Sequence, residues 1–215
     1  MFKHVLFDLD GTLTDSQEGI IKSVEYALVK MGIDTTGRLD PDVVVGPPLM
    51  HTFMETYGFS RKIAEKIYEY FQERYSTIGK FENRPYDGIL DLLKLLHEQG
   101  IYSYLATSKP QIHAQAIVEK FGIFPYLSMI SGSQLGGTED KALMIKRILD
   151  SIDSRDEGTV VMVGDRKYDA IGAHNQHIPV ILVEYGYGSE EECKASRPDY
   201  IAPSVAALTD ILLMH

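Results

Sequence analysis

Short apolar runs alternate with longer stretches of helical periodicity along most of this chain. Residues 4–7, 102–106, 127–130, 159–163 and 180–183 are apolar, rich in β-branched and aromatic side chains, and short enough to be strands. The run Thr-Val-Val-Met-Val at 159–163 carries no polar alternation, which predicts a strand buried on both faces, as in a parallel sheet. Helical patterns occupy about 86–99, 110–121, 139–150 and 166–176. Strands alternating with helices predict an α/β fold: a Rossmann-like parallel sheet with helices on both faces.

One stretch breaks this rhythm. Between about 16 and 81 no strand pattern occurs, and Ile20, Ile21, Val24, Ala27, Leu28 and Met31 recur at helical spacing. Ile63, Ile67, Phe71, Tyr75 and Ile78 do the same further on, and Gly46-Pro47-Pro48 punctuates the middle. A helical block inserted after the first strand predicts a small subdomain, hinged near residues 14–16 and 83–85. The expected division is a core of 1–15 and 83–215 with a helical cap at 16–82.

Composition narrows the partners. The 215 residues hold 21 Lys and Arg against 31 Asp and Glu, a net charge of −10, with 44% hydrophobic and 24% charged residues. That is a globular composition, and its sign disfavours a nucleic-acid polymer or an anionic membrane surface. No run approaches the roughly 18 apolar residues of a membrane span. The apolar start meets Asp8 and Asp10 before any signal-peptide core develops. The single Cys193 excludes an internal disulfide and fits a reducing compartment, so the expected location is the cytoplasm. The expected assembly is a monomer or homodimer. Cys193 itself reads as an unremarked surface or helix residue.

The candidate chemistry sits at the strand ends, where open parallel sheets bind their ligands. The first strand ends Asp8-Leu9-Asp10-Gly11-Thr12, the second Ala106-Thr107-Ser108-Lys109-Pro110, and the fourth Gly164-Asp165-Arg166-Lys167-Tyr168-Asp169, while Lys141 opens a helix. Asp8 and Asp10 project to one side of an extended strand end, so one can attack while the other moves protons. Gly11 allows backbone geometry that a side chain would hinder. Asp165 and Asp169 add hard oxygen ligands suited to Mg²⁺. Thr107 and the following amide can bind phosphate oxygens, and Lys141 supplies a point charge. Taken singly, Asp-x-Asp pairs, Gly-Asp turns and helical lysines are common surface features; in this order and at these strand ends they point to one pocket.

These motifs resemble the haloacid dehalogenase superfamily of phosphatases over nearly the whole chain, with 16–82 matching the helical cap of its phosphoglycolate phosphatase-like branch. Gly46-Pro47-Pro48-Leu49, Ala106-Thr107-Ser108-Lys109-Pro110, Gly164-Asp165-Arg166-Lys167 and Gly186-Tyr187-Gly188-Ser189 are similar to a subgroup described as 5′-nucleotidases, whose members are also labelled phosphoglycolate phosphatases. Two features depart from that subgroup. The loop 136–140, Gly-Gly-Thr-Glu-Asp, is shorter and lacks an Arg, and His177 stands where Gly is usual.

The resemblance implies a Mg²⁺-dependent phosphomonoesterase for a small phosphorylated metabolite, with nucleoside 5′-monophosphates the first expectation. Asp8 would be the nucleophile that forms an aspartyl-phosphate, and Asp10 the general acid and base. Thr107 and Lys141 would hold phosphate oxygens. Mg²⁺ would be bound by Asp8, Asp10 (through its carbonyl) and Asp165, with Asp169 supporting the site. Phosphate or substrate contacts fall to Gly11, Thr12, Ser108, Gly46, Lys109 and Arg166. The alternatives are a phosphoglycolate or other small-metabolite phosphatase, a sugar phosphomutase with the same residues, and a non-catalytic regulatory protein. Asp10 with Asp165 and Asp169 speaks against a dehalogenase. Tyr185 and Tyr187 read as filler and Glu190–Glu192 as a solvated helix start. His51, His97, His113 and His174 show no metal-ligand spacing.

Overall fold

The computed structural model describes residues 2–35, 39–136, 139–152 and 159–214, so Gly137 and Thr138 of the 136–140 loop lie outside the described residues. Six parallel strands form one sheet in the order β5-β4-β1-β6-β7-β8. They are β1 (His4–Phe7), β4 (Tyr102–Pro110), β5 (Leu127–Ser133), β6 (Val160–Gly164), β7 (Val180–Val183) and β8 (Tyr200–Ala202). The sheet is doubly covered because its central strands alternate between two apolar faces. Val5, Phe7, Val161, Val163, Ile181 and Val183 face α5 (Ile89–Glu98), α6 (Gln111–Lys120) and α10 (Val205–Met214). Leu6, Val160, Met162, Val180 and Leu182 face α7 (Lys141–Leu149), α8 (Lys167–Asn175) and α9 (Glu190–Ala195). The expected Rossmann-like α/β architecture is what the chain forms.

Chain order runs outward from β1 through β4 to β5, then crosses back to β6 on the other side of β1. The carboxyl ends of β4, β1 and β6 therefore lie side by side at the point where strand order reverses, which is where such sheets form their crevice.

Between β1 and α5 the chain builds α1 (Gln17–Lys30), α2 (Pro41–Val44), α3 (Leu49–His51) and α4 (Arg61–Tyr75). Ile20, Val24, Ala27, Ala64, Ile67 and Phe71 close a third apolar cluster of their own. Ile63 and Ile78, which share the spacing of that face, are exposed. The segment leaves and rejoins the sheet through a two-stranded antiparallel ribbon, β2 (Thr14–Asp15) with β3 (Arg84–Pro85), in register Thr14 with Pro85. Two-residue strands are too short to show periodicity.

Other differences from expectation have local causes. β4 runs on to Pro110 through a register shift, and β8 and α10 add an edge strand and a helix that the apolar pattern did not mark. Cys193 is buried within α9. His177 has φ 56°, the left-handed region glycine occupies without strain, which explains why Gly is usual there. Among the described residues no helix is long and apolar enough to cross a membrane.

Candidate active site

Asp8 stands one residue past β1, its N–H bonded to Val163 O at 2.9 Å. Lys141 reaches it from the first turn of α7, whose N-terminus is capped by Asp140 accepting from Leu143 N at 2.9 Å. Its stem crosses Gly172 so closely that a Cβ there would lie 2.9 Å from Lys141 Cγ. The ammonium ends 2.7 Å from Asp8 Oδ1 and 2.8 Å from Asp169 Oδ1, and donates to Ala106 O at 3.1 Å. Burial works against its charge, but Asp169 and Asp8 outweigh burial and hold Lys141 above its ordinary pKa. Burial pushes Asp8 up to about 6 despite the opposing pull of Lys141, with Asp169 and Asp10 adding repulsion.

Asp165 and Asp169 are fixed by the turn after β6. Asp169 Oδ2 accepts from the N–H groups of Asp165 (3.2 Å) and Arg166 (3.1 Å), so the carboxylate caps α8 from inside. Gly164 is required there, because a Cβ would sit 2.1 Å from Asp169 Cγ. Asp165 Oδ2 accepts from Tyr187 N at 2.8 Å, and Oδ1 accepts from Thr12 Oγ1 at 3.4 Å. Gly11, at φ 82°, lies against the same carboxylate; a Cβ would fall 2.1 Å from Asp165 Oδ2. Burial, then Asp169 and Asp8, push Asp165 well above the usual carboxylate range.

One carboxylate oxygen each from Asp8, Asp165 and Asp169 fall within 4.8 Å of one another. An all-oxygen, multiply anionic donor set fits a hard divalent cation, which would relieve the mutual repulsion of these carboxylates. Asp10 Oδ1 is buried with no hydrogen-bond partner among the described residues. Asp8 and Asp165 each offer such an ion an oxygen; both Asp169 oxygens already face Lys141 and the turn amides.

The β4 end supplies the facing wall. Thr107 Oγ1 accepts from Lys109 N at 3.1 Å. Lys109 Nζ pairs with Asp10 Oδ2 at 2.9 Å, donates to the Tyr75 hydroxyl and lies 4.8 Å from that ring's centroid. Asp8, Asp10, Thr107, Ser108, Lys109 and Gly46 line a cavity of about 90 Å³. Arg166 does not line it. Its guanidinium donates to Val45 O at 2.8 Å and to Glu192 Oε1 at 2.7 Å, passing 3.0 Å from where a Cβ on Gly46 would be. Gly11 and Thr12 shape the Asp165 side and lie outside the cavity wall.

Several wall residues carry no motif. Tyr75, Gln72 and His113 line the cavity, with His113 Nε2 2.8 Å from Gln72 Oε1. Helical spacing marks Tyr75 as buried but says nothing about what it meets. Tyr187 is not filler: its hydroxyl accepts from Ser16 N (2.7 Å) and Gln17 N (3.1 Å), while its N–H holds Asp165. Glu192 is not a solvated helix start but the partner of Arg166 and of Lys167 N.

A family model described as haloacid dehalogenase-like hydrolase matches residues 5–183. A 5′-nucleotidase of Pseudomonas aeruginosa is 40% identical over 215 residues, covering 100% of this chain and 97% of that protein. A phosphoglycolate phosphatase of Vibrio vulnificus is 26% identical over 221 aligned positions, covering 99% and 96%. The crystal structure of a predicted phosphatase from Clostridium acetobutylicum superposes with a TM-score of 0.91 at 42% identity, covering 100% of both chains.

Proposed function

The chain belongs to the haloacid dehalogenase-like hydrolase family and is a phosphatase of phosphate monoesters, and from that premise we propose that it is a Mg²⁺-dependent 5′-nucleotidase working through an aspartyl-phosphate. The observation that carries this reading is the Lys141 ammonium held between Asp8 and Asp169 beside Asp165. In it, a carboxylate nucleophile, a cation for phosphate and a metal-binding set converge at one strand edge.

Mg²⁺, when bound, supplies charge neutralisation for the carboxylates and the incoming phosphate. Asp8 attacks phosphorus, forming a P–O bond to its carboxylate as the bond to the leaving oxygen breaks. Asp10 gives that oxygen a proton and later takes one from the water that cleaves the aspartyl-phosphate. Lys109, 2.9 Å from Asp10, holds its carboxylate in place. Lys141 and Thr107 receive the equatorial oxygens. Residues 16–82 act as the cap over a core of 1–15 and 83–215, with the β2–β3 ribbon as hinge, and exclude water during transfer. The single thiol fits work in the cytoplasm.

Nucleoside 5′-monophosphates are favoured by the full-length similarity to the Pseudomonas aeruginosa 5′-nucleotidase. A second reading, phosphoglycolate hydrolysis, is favoured by the roughly 90 Å³ of space above Asp8 and Asp10. Phosphate release from nucleoside 5′-monophosphates, phosphoglycolate, pyrophosphate and hexose phosphates, with Mg²⁺ or EDTA, separates the two. Nucleotides should lead, EDTA should stop turnover, and Asp8→Asn should fall to background. Full Mg²⁺-dependent activity in Asp8→Asn would reject the mechanism, and phosphoglycolate preferred far above every nucleotide would reject the substrate.

A further inference from the structure

Ser16 stands at the head of α1, where a serine hydroxyl ordinarily accepts a hydrogen bond from the first turn of its own helix. Ser16 makes no such bond, and its Oγ is buried without a hydrogen-bond partner among the described residues. The acceptor comes instead from Tyr187, 171 positions away. Its hydroxyl takes the N–H groups of Ser16 and Gln17 at 2.7 and 3.1 Å and donates to Asp15 Oδ1 at 3.2 Å. One proton given and two accepted use the whole capacity of a phenol oxygen. Asp15 in turn pairs with Arg84 at 3.1 Å, so the hydroxyl is linked to both strands of the β2–β3 ribbon.

The other end of the same residue holds the candidate metal ligand. Tyr187 N donates to Asp165 Oδ2 at 2.8 Å. The loop that carries it has no slack against Asp165. A Cβ on Gly186 would lie 2.4 Å from Asp165 Cβ, and one on Gly188 2.1 Å from Asp165 O. The Tyr187 ring is pressed against the turn after β1 as well: a Cβ on Gly11 would lie 2.7 Å from Tyr187 Cδ2. A tyrosine side chain is a rigid ring on two torsions, and close-packed groups pass a shift on rather than absorb it. A hydrogen bond from the Ser16 hydroxyl would satisfy the helix and transmit nothing.

We propose that Tyr187 is a positioning residue that couples the metal ligand Asp165 to the hinge, so that an ion bound at Asp165 also orders the first residues of α1. The proposal rests on the reading of Asp165 as a Mg²⁺ ligand. The coupling is reciprocal: the factor by which the ion favours ordering at Ser16 and Gln17 is the factor by which that ordering tightens the ion.

Amide hydrogen exchange of the full chain, without substrate, tests it in Mg²⁺ and in EDTA. In the wild-type protein Mg²⁺ should slow exchange at Ser16 and Gln17 about fivefold more than at Leu28, near the other end of α1. Tyr187→Phe keeps the N–H on Asp165 and removes the hydroxyl. It should abolish this difference and weaken Mg²⁺ binding, measured by calorimetry, by about the same factor. A tyrosine that only caps a helix would give a different result: Tyr187→Phe would speed exchange at Gln17 equally with and without the ion and leave Mg²⁺ affinity unmoved. That outcome overturns the coupling and leaves the metal reading standing. Equal slowing by Mg²⁺ at Gln17 and Leu28 in the wild-type protein overturns it too, and needs no variant to fold. No Mg²⁺ binding by the wild-type protein overturns the coupling and the metal reading together.

Discussion

At the scale of single residues, two buried groups pull stability in opposite directions with pH. Asp8 in the metal-free protein has its pKa raised to about 6 from 3.8, first by burial. Its folded form binds more protons than its unfolded form between about 4 and 6, so its contribution to stability falls as pH rises through that window. The size is on the order of 3 kcal/mol. His113 runs the other way. Burial, then Lys109 and Lys80, lower it from 6.5 to about 4. Its unfolded form binds the extra proton, so its contribution rises with pH between about 4 and 6.5, again by on the order of 3 kcal/mol. In EDTA the two slopes oppose one another in the wild-type protein. Asp8→Asn should unmask a rise in stability across that window, and His113→Gln a fall. Denaturant melts at several pH values check this; identical slopes in both variants would sink it. Asp8 was legible in the sequence because its motif is contiguous at a strand end. His113 was not. Its partner Gln72 lies 41 positions away on α4, and a histidine on an amphipathic helix looks the same whether it meets water or a cavity wall.

At the scale of elements, Arg166 joins two parts of the chain that no local pattern connects. It leaves the β6–α8 turn directly after Asp165 and ends on Val45 O, with Glu192 of α9 behind it. Burial opposes the charge on Glu192, yet Arg166 and the Lys167 N–H hold it below the ordinary carboxylate range. Val45 begins the Gly46-Pro47-Pro48 loop, which lines the catalytic cavity. The same Arg thus links the Asp165 turn to that loop. Arg166→Ala removes a charge-assisted bond of about 1.5–3 kcal/mol and leaves Glu192 without its guanidinium partner. Amide hydrogen exchange at Gly46, Leu49 and Met50 should speed, while exchange within β1 and β6 stays slow. Arg166→Lys should keep the charge without the two-way fork, giving partial protection. Unchanged exchange at Gly46 in Arg166→Ala would remove the link. The sequence places Arg166 among the phosphate or substrate contacts, because its actual partners Val45 and Glu192 lie 121 and 26 positions away and no local pattern points to them. The β2–β3 ribbon stays hidden because its strands are two residues long, whereas β1 and β6 are plain from short runs of mostly apolar residues.

At the scale of the whole molecule, the net charge of −10 is not spread evenly in its consequences. Most acidic residues lie in solvent, where salt screens them. Asp8, Asp165 and Asp169 lie together in the interior, where Lys141 answers only part of their charge. A divalent cation that binds this cluster only in the folded chain should therefore stabilise the whole protein by mass action. At about 100 times its Kd the gain is about 2.7 kcal/mol. For a chain of this length that corresponds to a rise in Tm of roughly 5–10 °C. Sodium chloride at matched ionic strength should reproduce only the smaller, generic part that comes from screening the surface. Asp165→Asn should keep the sodium effect and lose the magnesium one, because its carboxamide is a weaker, uncharged ligand held by the same Tyr187 and Thr12 contacts. Equal Tm shifts for Mg²⁺ and sodium chloride in the wild-type protein would mean that Asp8 and Asp165 do not bind the ion. The raised pKa values of Asp8 and Asp165 would then reflect burial, with a repulsion that Lys141 alone must contain.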